Sequence, residues 1–369
     1  MRRAGILKAG LGVAALLVLM LLAREILPYI IEPEPSLTVD NLQIDKVAEG
    51  LGNPTCMEWI DSEWLLVCDA DSGSVLALAL NESEFSAHIS ILGGLDNPHG
   101  LLLWEDGDDG SEHLFVSQAG KLESWEILQG SNPAEWELGP RSTLISGVPS
   151  SGHQQNAIKP GPDGDLIWHS GSTCNVCTEE DPRSAALLSV DPRTGNHSVV
   201  ASGVRNSFDG VWVPDVGYVF TDNGHDWDGD DFPPEELNLL MIGADYGWPN
   251  TTVDNPVPAG SLPPIAEYIP HSSVNGIDLR PSSSSLPGGE HTVYATVFGS
   301  WNTVMPVGKQ VIRIDLLPDP DHPQGWSSEI SVVVEDLATP LALRFHPEGD
   351  LYFTEYAHGT LYRVTAAQS

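Results

Sequence analysis

Basic residues are scarce in this chain of 369 residues. It contains 52 Asp and Glu residues against 16 Lys and Arg residues, for a formal net charge of −36. A surface of this charge repels nucleic acids and anionic lipids, which excludes nucleic acid as a partner. The acidic excess is typical of a solvated surface, and calcium binding is the alternative reading. An anionic ligand would have to be held by local cations against this field.

Long helical periodicity is absent after residue 31, whereas Gly and Pro are plentiful, at 36 and 29. This composition favours an all-β protein with many short strands and tight turns. The N-terminus differs, because only Lys8 interrupts the apolar residues from Ala4 to Ala23. An apolar stretch of about 20 residues is long enough to span a bilayer.

The apolar segment is preceded by Arg2 and Arg3 and ends at Ala23-Arg24, which is a poor signal-peptidase site. We therefore predict an uncleaved single-pass membrane anchor over residues 1–31, with a cleaved signal and a secreted protein as the alternative. The positive start places the rest of the chain outside the cytoplasm. Residues 32–39, which contain two Glu-Pro pairs, are predicted as a linker, and residues 40–369 as the folded domain.

One pattern recurs along residues 40–369: an opening residue pair, an apolar strand, a turn, and two further apolar strands. The six copies open at Asn53-Pro54, Asn97-Pro98, His153, Arg205, Asn275-Gly276 and Pro340. Their spacing of about 40 to 70 residues is that of four-stranded propeller blades. The sequence therefore predicts a six-bladed β-propeller, in which the heads of the six inner strands converge on one channel mouth. A solenoid is less favoured because the repeats are unequal in length.

Cysteine is rare, with four residues in the chain. An even number of cysteines in an exported domain indicates disulfides. Cys56 and Cys68 fall on the first two strands of one repeat, so a cross-strand bridge is expected there. Cys174 and Cys177 form a CxxC sequence in a loop. A zinc site is the alternative, although the two pairs fall in different blades.

The fourth repeat contains the string TDNGHDWDGDDFPPEELN, followed by GADYGWP. These motifs closely resemble the soluble glucose/sorbosone dehydrogenase family, and the CNVC string is typical of its sorbosone-type branch. The resemblance implies a six-bladed propeller that uses pyrroloquinoline quinone (PQQ) and calcium to oxidise sugars.

Two positions carry the predicted chemistry. His153 opens the third repeat, where a neutral imidazole can accept a hydroxyl proton near pH 7. It matches the catalytic base of the family. Arg205 opens the fourth repeat, where a guanidinium suits a carboxylate or a developing alkoxide. The resemblance implies that Arg205 and Asn206 contact the quinone.

The resemblance also implies two calcium sites. Backbone carbonyls of Gly224 and His225 would hold the ion that clamps PQQ, with His225 standing where the family has proline. Glu235 and Glu236 resemble residues of a second, structural calcium site. The DWDGDD run lacks the order and flanking helices of an EF-hand, so that motif is excluded. A solvated acidic loop is the alternative.

Three further residues complete the predicted cofactor site. Trp301 and Lys309 match the GSWN segment of the family and the lysine that follows it, and His99 matches a motif that opens a blade. Thr339 departs from the pattern, because sorbosone-type relatives often carry arginine there. One cation for the three carboxylates of PQQ is therefore missing.

These observations predict a quinoprotein sugar dehydrogenase: hydride passes from an aldose or polyol to PQQ while His153 takes the hydroxyl proton. An external electron acceptor must then reoxidise the cofactor. Two alternatives remain: a calcium-dependent propeller hydrolase of the lactonase kind, and a non-catalytic extracellular binding module.

Overall fold

The computed structural model describes residues 26–81, 84–86, 88–300 and 302–367. Residues 26–30 form a short helical turn, and strands follow. The N-terminal strands and those of the first two blades are β1 (Ser36–Leu37), β2 (Leu42–Ala48), β3 (Pro54–Trp59), β4 (Trp64–Asp69), β5 (Ser74–Asn81), β6 (Glu84–Phe85), β7 (Ile89–Leu92), β8 (Gly100–Glu105), β9 (Glu112–Gln118), β10 (Lys121–Gln129), β11 (Glu137–Leu138) and β12 (Ser142–Ser146).

The third to sixth blades take the rest of the chain. Their strands are β13 (Gln155–Pro160), β14 (Leu166–Ser170), β15 (Ala186–Val190), β16 (His197–Ser202), β17 (Gly210–Val213), β18 (Gly217–Asp222), β19 (Glu235–Leu239), β20 (Ala244–Asp245), β21 (Ala266–Tyr268), β22 (Val274–Leu279), β23 (Thr292–Val297), β24 (Gln310–Pro318), β25 (Trp326–Glu335), β26 (Pro340–Phe345), β27 (Leu351–Glu355) and β28 (Thr360–Ala366).

These strands form six antiparallel sheets of four or five strands, apart from one parallel pairing of β16 with β20. The ring is closed at its ends: β2 pairs with β28, the third strand of the sixth blade, and so supplies that blade's outer strand. β1 extends the fifth blade by pairing with β25. The protein is a six-bladed β-propeller, as predicted, and the innermost strands begin close to the predicted openers.

Each blade packs on the next through one apolar cluster. Leu102 and Phe115 of the second blade, for example, pack with Ile158 and Trp168 of the third. Five similar clusters lie at the other blade junctions of the described chain. A lone blade would expose these faces to water, so packing around the ring stabilises every blade at once.

The antiparallel order brings two kinds of chain segment to one end of the ring, here called the mouth. These are the segments leading into the six inner strands and the connections between the second and third strands of each blade. The long connections are residues 171–185, 223–234 and 298–309. Residues distant in sequence therefore meet at the mouth, where loops held by rigid strands commonly bear function.

Both predicted cysteine pairs are disulfides. Cys56 and Cys68 face each other across β3 and β4, with their Cα atoms 5.1 Å apart. Cys174 is bonded to Cys177 within the 171–185 connection. All four cysteine sulfur atoms are in S–S bonds, so no thiolate is available and a zinc site of four cysteines is excluded.

A membrane-spanning helix is not found among the described residues, since no helix there is both long and apolar enough. The predicted anchor segment from Ala4 to Ala23 lies outside the described residues.

Candidate active site at the channel mouth

His153 is half-buried at the mouth, in the segment that leads into β13. Its Nδ1 lies 2.9 Å from Ser172 Oγ, and its backbone N–H donates to the carbonyl of Ser172. Burial and the nearby charge of Arg205 lower the pKa of His153 to about 4. The imidazole is therefore neutral at pH 7 and can act as a base.

Arg205 is buried, at 5% exposure, and its guanidinium is held by three residues. Nη2 donates to Asn175 Oδ1 at 2.7 Å and Nε donates to the Asn175 carbonyl at 3.2 Å. Nη1 donates to the Asn223 carbonyl, and Nη2 also forms a 3.2 Å ion pair with Asp226. These contacts hold the cation in one orientation at the mouth.

Asn206 lies beside these two residues. A Cβ built on Gly171 would stand 2.5 Å from His153 Cβ and 3.4 Å from Asn206 Oδ1, so glycine is needed for this approach. Asn156 Nδ2 donates to Asn206 Oδ1, which leaves the Asn206 amide N–H groups for other partners. The structure thus brings together His153, Arg205 and Asn206, as the sequence predicts.

Asp222 explains why residues 205 and 206 take this position. Its two carboxylate oxygens accept the backbone N–H groups of Arg205, at 2.9 Å, and Asn206, at 2.6 Å. Burial raises the pKa of Asp222 to about 7, although these N–H groups oppose the rise. The carboxylate therefore orients the chain as it enters the fourth blade.

The predicted calcium loop also depends on a buried carboxylate. Glu235 accepts the backbone N–H groups of Gly224 and Ser273, at 2.9 and 2.8 Å, one on each oxygen. Burial raises its pKa to about 7. His225 is buried beside this loop, with Nε2 3.2 Å from the Thr251 carbonyl. Gly224 and His225 thus lie in an ordered turn.

Glu236 lies across the sheet from Asp222 and, on its other side, from Glu267. Burial and the charge of Asp222 raise the pKa of Glu236 to about 8. Three adjacent carboxylates on one face repel one another, which a hard cation with oxygen ligands would relieve. Consecutive residues of a strand point to opposite faces, so Glu235 and Glu236 lie on opposite faces of β19, and the structure does not bring together the two residues of the predicted structural calcium site.

The acidic loop is partly engaged rather than wholly solvated. Asp226 accepts a 2.7 Å hydrogen bond from Asn302, and Asp230 accepts the backbone N–H of Val304. Both partners belong to the 298–309 connection of the fifth blade. Trp227, between them, is 75% exposed. The two long connections therefore support each other across the mouth.

Lys309 ends the 298–309 connection, with its ammonium nitrogen 5.7 Å from the centre of the Tyr29 ring. The N-terminal segment is fixed near it, because His358 Nε2 lies 2.5 Å from the carbonyl oxygen of Pro28. A cavity of about 250 Å³ lies between this segment and Lys309. Trp301 lies outside the described residues.

His99 stands deeper, where the channel narrows. Its ring packs edge-on against Phe208 at 6.1 Å, and burial lowers its pKa to about 4. His99 and Phe208 line a cavity of only about 10 Å³, enough for about one water molecule. Arg344 and Asp209 line the same cavity and are joined by a 2.6 Å hydrogen bond from Arg344 Nη1 to Asp209 Oδ2.

Thr339, which stands where sorbosone-type relatives often carry arginine, is buried at the head of the sixth blade. Glu355 accepts the Thr339 backbone N–H, and burial raises the Glu355 pKa to about 7. The sixth blade therefore has a buried carboxylate and a buried hydroxyl, both bonded to backbone N–H groups, where an arginine was expected.

Solved structures share this architecture. The fold is that of the PQQ-dependent sugar dehydrogenases. The PQQ domain of pyranose dehydrogenase from Coprinopsis cinerea, in its holo form, aligns with a TM-score of 0.73 at 15% identity, over 90% of this chain and 97% of that one. The PQQ-bound aldose sugar dehydrogenase of Streptomyces coelicolor gives 0.65 at 18%, over 90% and 98%.

Two further comparisons bear on the chain. A calcium structure of the Trichoderma reesei family AA12 carbohydrate-active enzyme aligns with a TM-score of 0.75 at 18% identity, over 91% of this chain and 98% of that one. A curated protein of Borreliella burgdorferi, described as uncharacterized, is 24% identical over 73% of this chain and 76% of its own length. No protein-family model matches the chain.

The mouth also contains buried polar atoms that lack a hydrogen-bond partner in the described part of the chain. Three buried polar atoms in its connections have no hydrogen-bond partner among the described residues: Asn175 Nδ2, Asn223 Oδ1 and His225 Nδ1. Unpaired buried polar atoms are costly, and they commonly mark ligand or ion contacts. Asn175 Nδ2 and the guanidinium of Arg205 can donate to an anion, whereas Asn223 Oδ1 can only accept and so suits a donor or a cation.

Sequence reasoning missed the residues that hold Arg205 and His153 in place. Ser172 and Asn175 lie in the SGSTCNVC string, whose cysteines indicate a disulfide or zinc motif and a family resemblance but no role for either residue. Asp222 was read as part of the acidic run. A polar side chain between two bonded cysteines was the available signal for Asn175.

Proposed function

We propose that this protein oxidises an aldose or a related polyol, using PQQ and calcium, as a quinoprotein dehydrogenase. The observation that carries the proposal is the meeting of His153 and Asn206 on Gly171 at the mouth of a propeller, with the charge of Arg205 close enough to lower the pKa of His153. The likeness in fold to PQQ-bound sugar dehydrogenases supports it.

In this mechanism PQQ supplies a two-electron acceptor for the hydride of the sugar C–H bond, and calcium supplies Lewis acidity. Arg205, Asn206 and Lys309 would hold the cofactor, and the predicted Trp301 would border it. The carbonyls of Gly224 and His225 would hold the ion.

His153 acts on the sugar. Its neutral ring accepts the proton of the hydroxyl group whose carbon loses hydride, so the product is a lactone or carbonyl compound. Arg205 offsets the negative charge that develops as the proton leaves. Because the cavity beside His99 has a volume of only about 10 Å³, too small for a sugar, substrate would enter and leave through the mouth.

An anionic cofactor must be held by local cations because the surface of the protein is strongly acidic. Arg205 and calcium, together with Lys309 once its ammonium turns from the Tyr29 ring, would offset three cofactor carboxylates without the arginine that Thr339 replaces. Calcium is therefore expected to be required for cofactor binding and not only for turnover.

We also propose that the protein acts outside the cytoplasm, which the two disulfides support. Residues 1–31 would serve as anchor, residues 32–39 as linker and residues 40–369 as catalytic domain, with an external electron acceptor. Retention of the full chain in the membrane pellet after an alkaline carbonate wash would test the anchor. Recovery in the supernatant would contradict it.

The function is tested with purified protein reconstituted with PQQ and calcium. We expect sugar-dependent reduction of a redox dye, with no reduction when PQQ is omitted. A folded protein that gives no dye reduction with a panel of aldoses and polyols would contradict the dehydrogenase. Calcium-dependent lactone hydrolysis by the same sample would point to the hydrolase, and inactivity in both assays to a binding module.

A further inference from the structure

The turn closed by the Cys174–Cys177 disulfide contacts both predicted catalytic groups, and the proposed function assigns it no role. Ser172, just before the turn, bonds His153, and Asn175, inside the turn, bonds Arg205. Ser172 is fully buried, whereas Asn175 is partly buried at the mouth.

The hydrogen bonds of Ser172 determine which nitrogen of His153 carries the proton. Ser172 Oγ lies 2.7 Å from the carbonyl oxygen of Cys174. A carbonyl can only accept, so the single hydroxyl proton of Ser172 must point to it. The oxygen can then serve His153 Nδ1 only as an acceptor, which places the imidazole proton on Nδ1. The lone pair that a base needs therefore lies on Nε2.

Asn175 performs the corresponding task for Arg205. Its Oδ1 accepts from Arg205 Nη2 and from the backbone N–H of Asp226, and its carbonyl accepts from Arg205 Nε and Trp248 Nε1. Two acceptor atoms of Asn175 thus hydrogen-bond to the neighbouring Nε and Nη2 of the Arg205 guanidinium. Without them, the carboxylate of Asp226 would be the remaining side-chain partner, and it would draw the cation toward the acidic loop.

The disulfide keeps these acceptors in place. It joins residues on either side of Asn175-Val176, and Cys174 also supplies the carbonyl that orients Ser172. A cross-link across so short a turn removes alternative backbone conformations that would move both groups. One covalent bond therefore restrains both the base and the cation.

We propose that Ser172 and Asn175 are positioning residues of this site, locked by the Cys174–Cys177 disulfide: Ser172 sets the tautomer of His153, and Asn175 sets the orientation of Arg205. The inference rests on the proposed function for its kinetic consequences. Its structural consequence is the tautomer of His153, which can be measured in the protein without cofactor.

The test begins with nitrogen NMR of histidine-labelled full-length protein at pH 7, without PQQ. The His153 signals are assigned by their loss in His153→Gln. We expect Nδ1 to have the chemical shift of a protonated nitrogen and Nε2 that of an unprotonated one. In Ser172→Ala, and in the Cys174→Ser/Cys177→Ser double variant, the two shifts should move toward each other as both tautomers become populated.

Ser151→Ala is the matched control, since Ser151 Oγ donates to the Thr173 carbonyl in the same turn but is exposed and does not touch His153. It should leave the His153 shifts unchanged. An unchanged wild-type tautomer in Ser172→Ala would overturn the inference, as would a wild-type spectrum with the proton on Nε2.

Kinetics supply the second readout in loaded protein. We expect Ser172→Ala to lower kcat by about tenfold or more, up to the limit of about 10²–10⁴ that loss of the positioned base itself would cause, with little change in KM. Asn175→Ala should weaken PQQ binding at least tenfold. Wild-type protein without dehydrogenase activity would refute the proposed function while the NMR result still decides the tautomer. Active wild type with unaltered kcat in Ser172→Ala would overturn the positioning role alone.

Discussion

Removal of Arg344 should destabilise the propeller more than removal of any exposed arginine. Arg344 stands in the central channel, where Nη1 donates to Asp209 Oδ2 at 2.6 Å and Nε donates to Glu58 at 3.3 Å. Lys159 adds a 3.4 Å contact to the same aspartate. Each partner comes from a different blade, so this ion cluster ties blades together at the axis.

The magnitude follows from burial. Asp209 is 4% exposed. Removal of one partner of a buried ion pair costs about 3–5 kcal/mol, because the other charge remains buried without compensation. Lys159 still pairs with Asp209 in Arg344→Met, so we expect the free energy of unfolding to fall by about 3 kcal/mol at pH 7, the lower end of this range.

The pH dependence gives a second check. Burial opposes ionisation of Asp209, but Arg344 and Lys159 outweigh it and hold its pKa at about 2. Because the folded pKa lies below the unfolded value, the stabilisation is present above about pH 4 and is lost as the pH falls toward 2. The difference corresponds to about 2 kcal/mol, most of which should vanish in Arg344→Met.

Urea unfolding of the wild type and Arg344→Met, at pH 7 and pH 3, measures both effects. Arg183→Met is the matched control: Arg183 also pairs with an aspartate, Asp181, but both side chains are partly exposed, at 25% and 22%. Its loss should cost far less. Equal losses in the two variants, or a loss below about 1 kcal/mol for Arg344→Met, would refute the reasoning.

Three further outcomes are expected of the loaded protein. His153→Gln should lower kcat by about 10²–10⁴ while PQQ binding, followed by absorbance, is retained; unchanged turnover would remove the base assignment. Because burial and Arg205 lower the pKa of His153 to about 4, kcat/KM should hold from pH 7 to pH 5 and fall below pH 4 as the base is protonated; a fall already near pH 6.5 would contradict this environment. Removal of calcium with EGTA should release PQQ and lower Tm, and calcium rather than magnesium should restore both; full activity in EGTA would exclude the calcium role.

The overall architecture could be read from the sequence because its signals are local. Each blade repeats the same alternation of apolar strands and turns, and the openers at His153 and Pro340 lie at or just before inner strands. The Cys56–Cys68 bridge was likewise predictable, because adjacent strands joined by a tight turn place the two residues face to face.

The candidate site was only partly predictable. His153, Arg205 and Asn206 were singled out by their place at strand heads and by a resemblance, and the structure brings them together. Their roles, and those of Lys309 and the calcium residues, stay predictions. No local pattern indicated that Ser172 would determine a tautomer or that Asn175 would hold a guanidinium, since neither contact follows from strand periodicity.

The sequence alone therefore determined the number of blades, the acidic surface and the Cys56–Cys68 bridge, because hydrophobic periodicity and short-range spacing decide these. Only the tertiary structure decided which partners surround each buried charged side chain. The bond between Arg344 and Asp209 joins residues 135 apart in the chain. Such a contact depends on closure of the ring, which places strand heads side by side regardless of their separation in sequence.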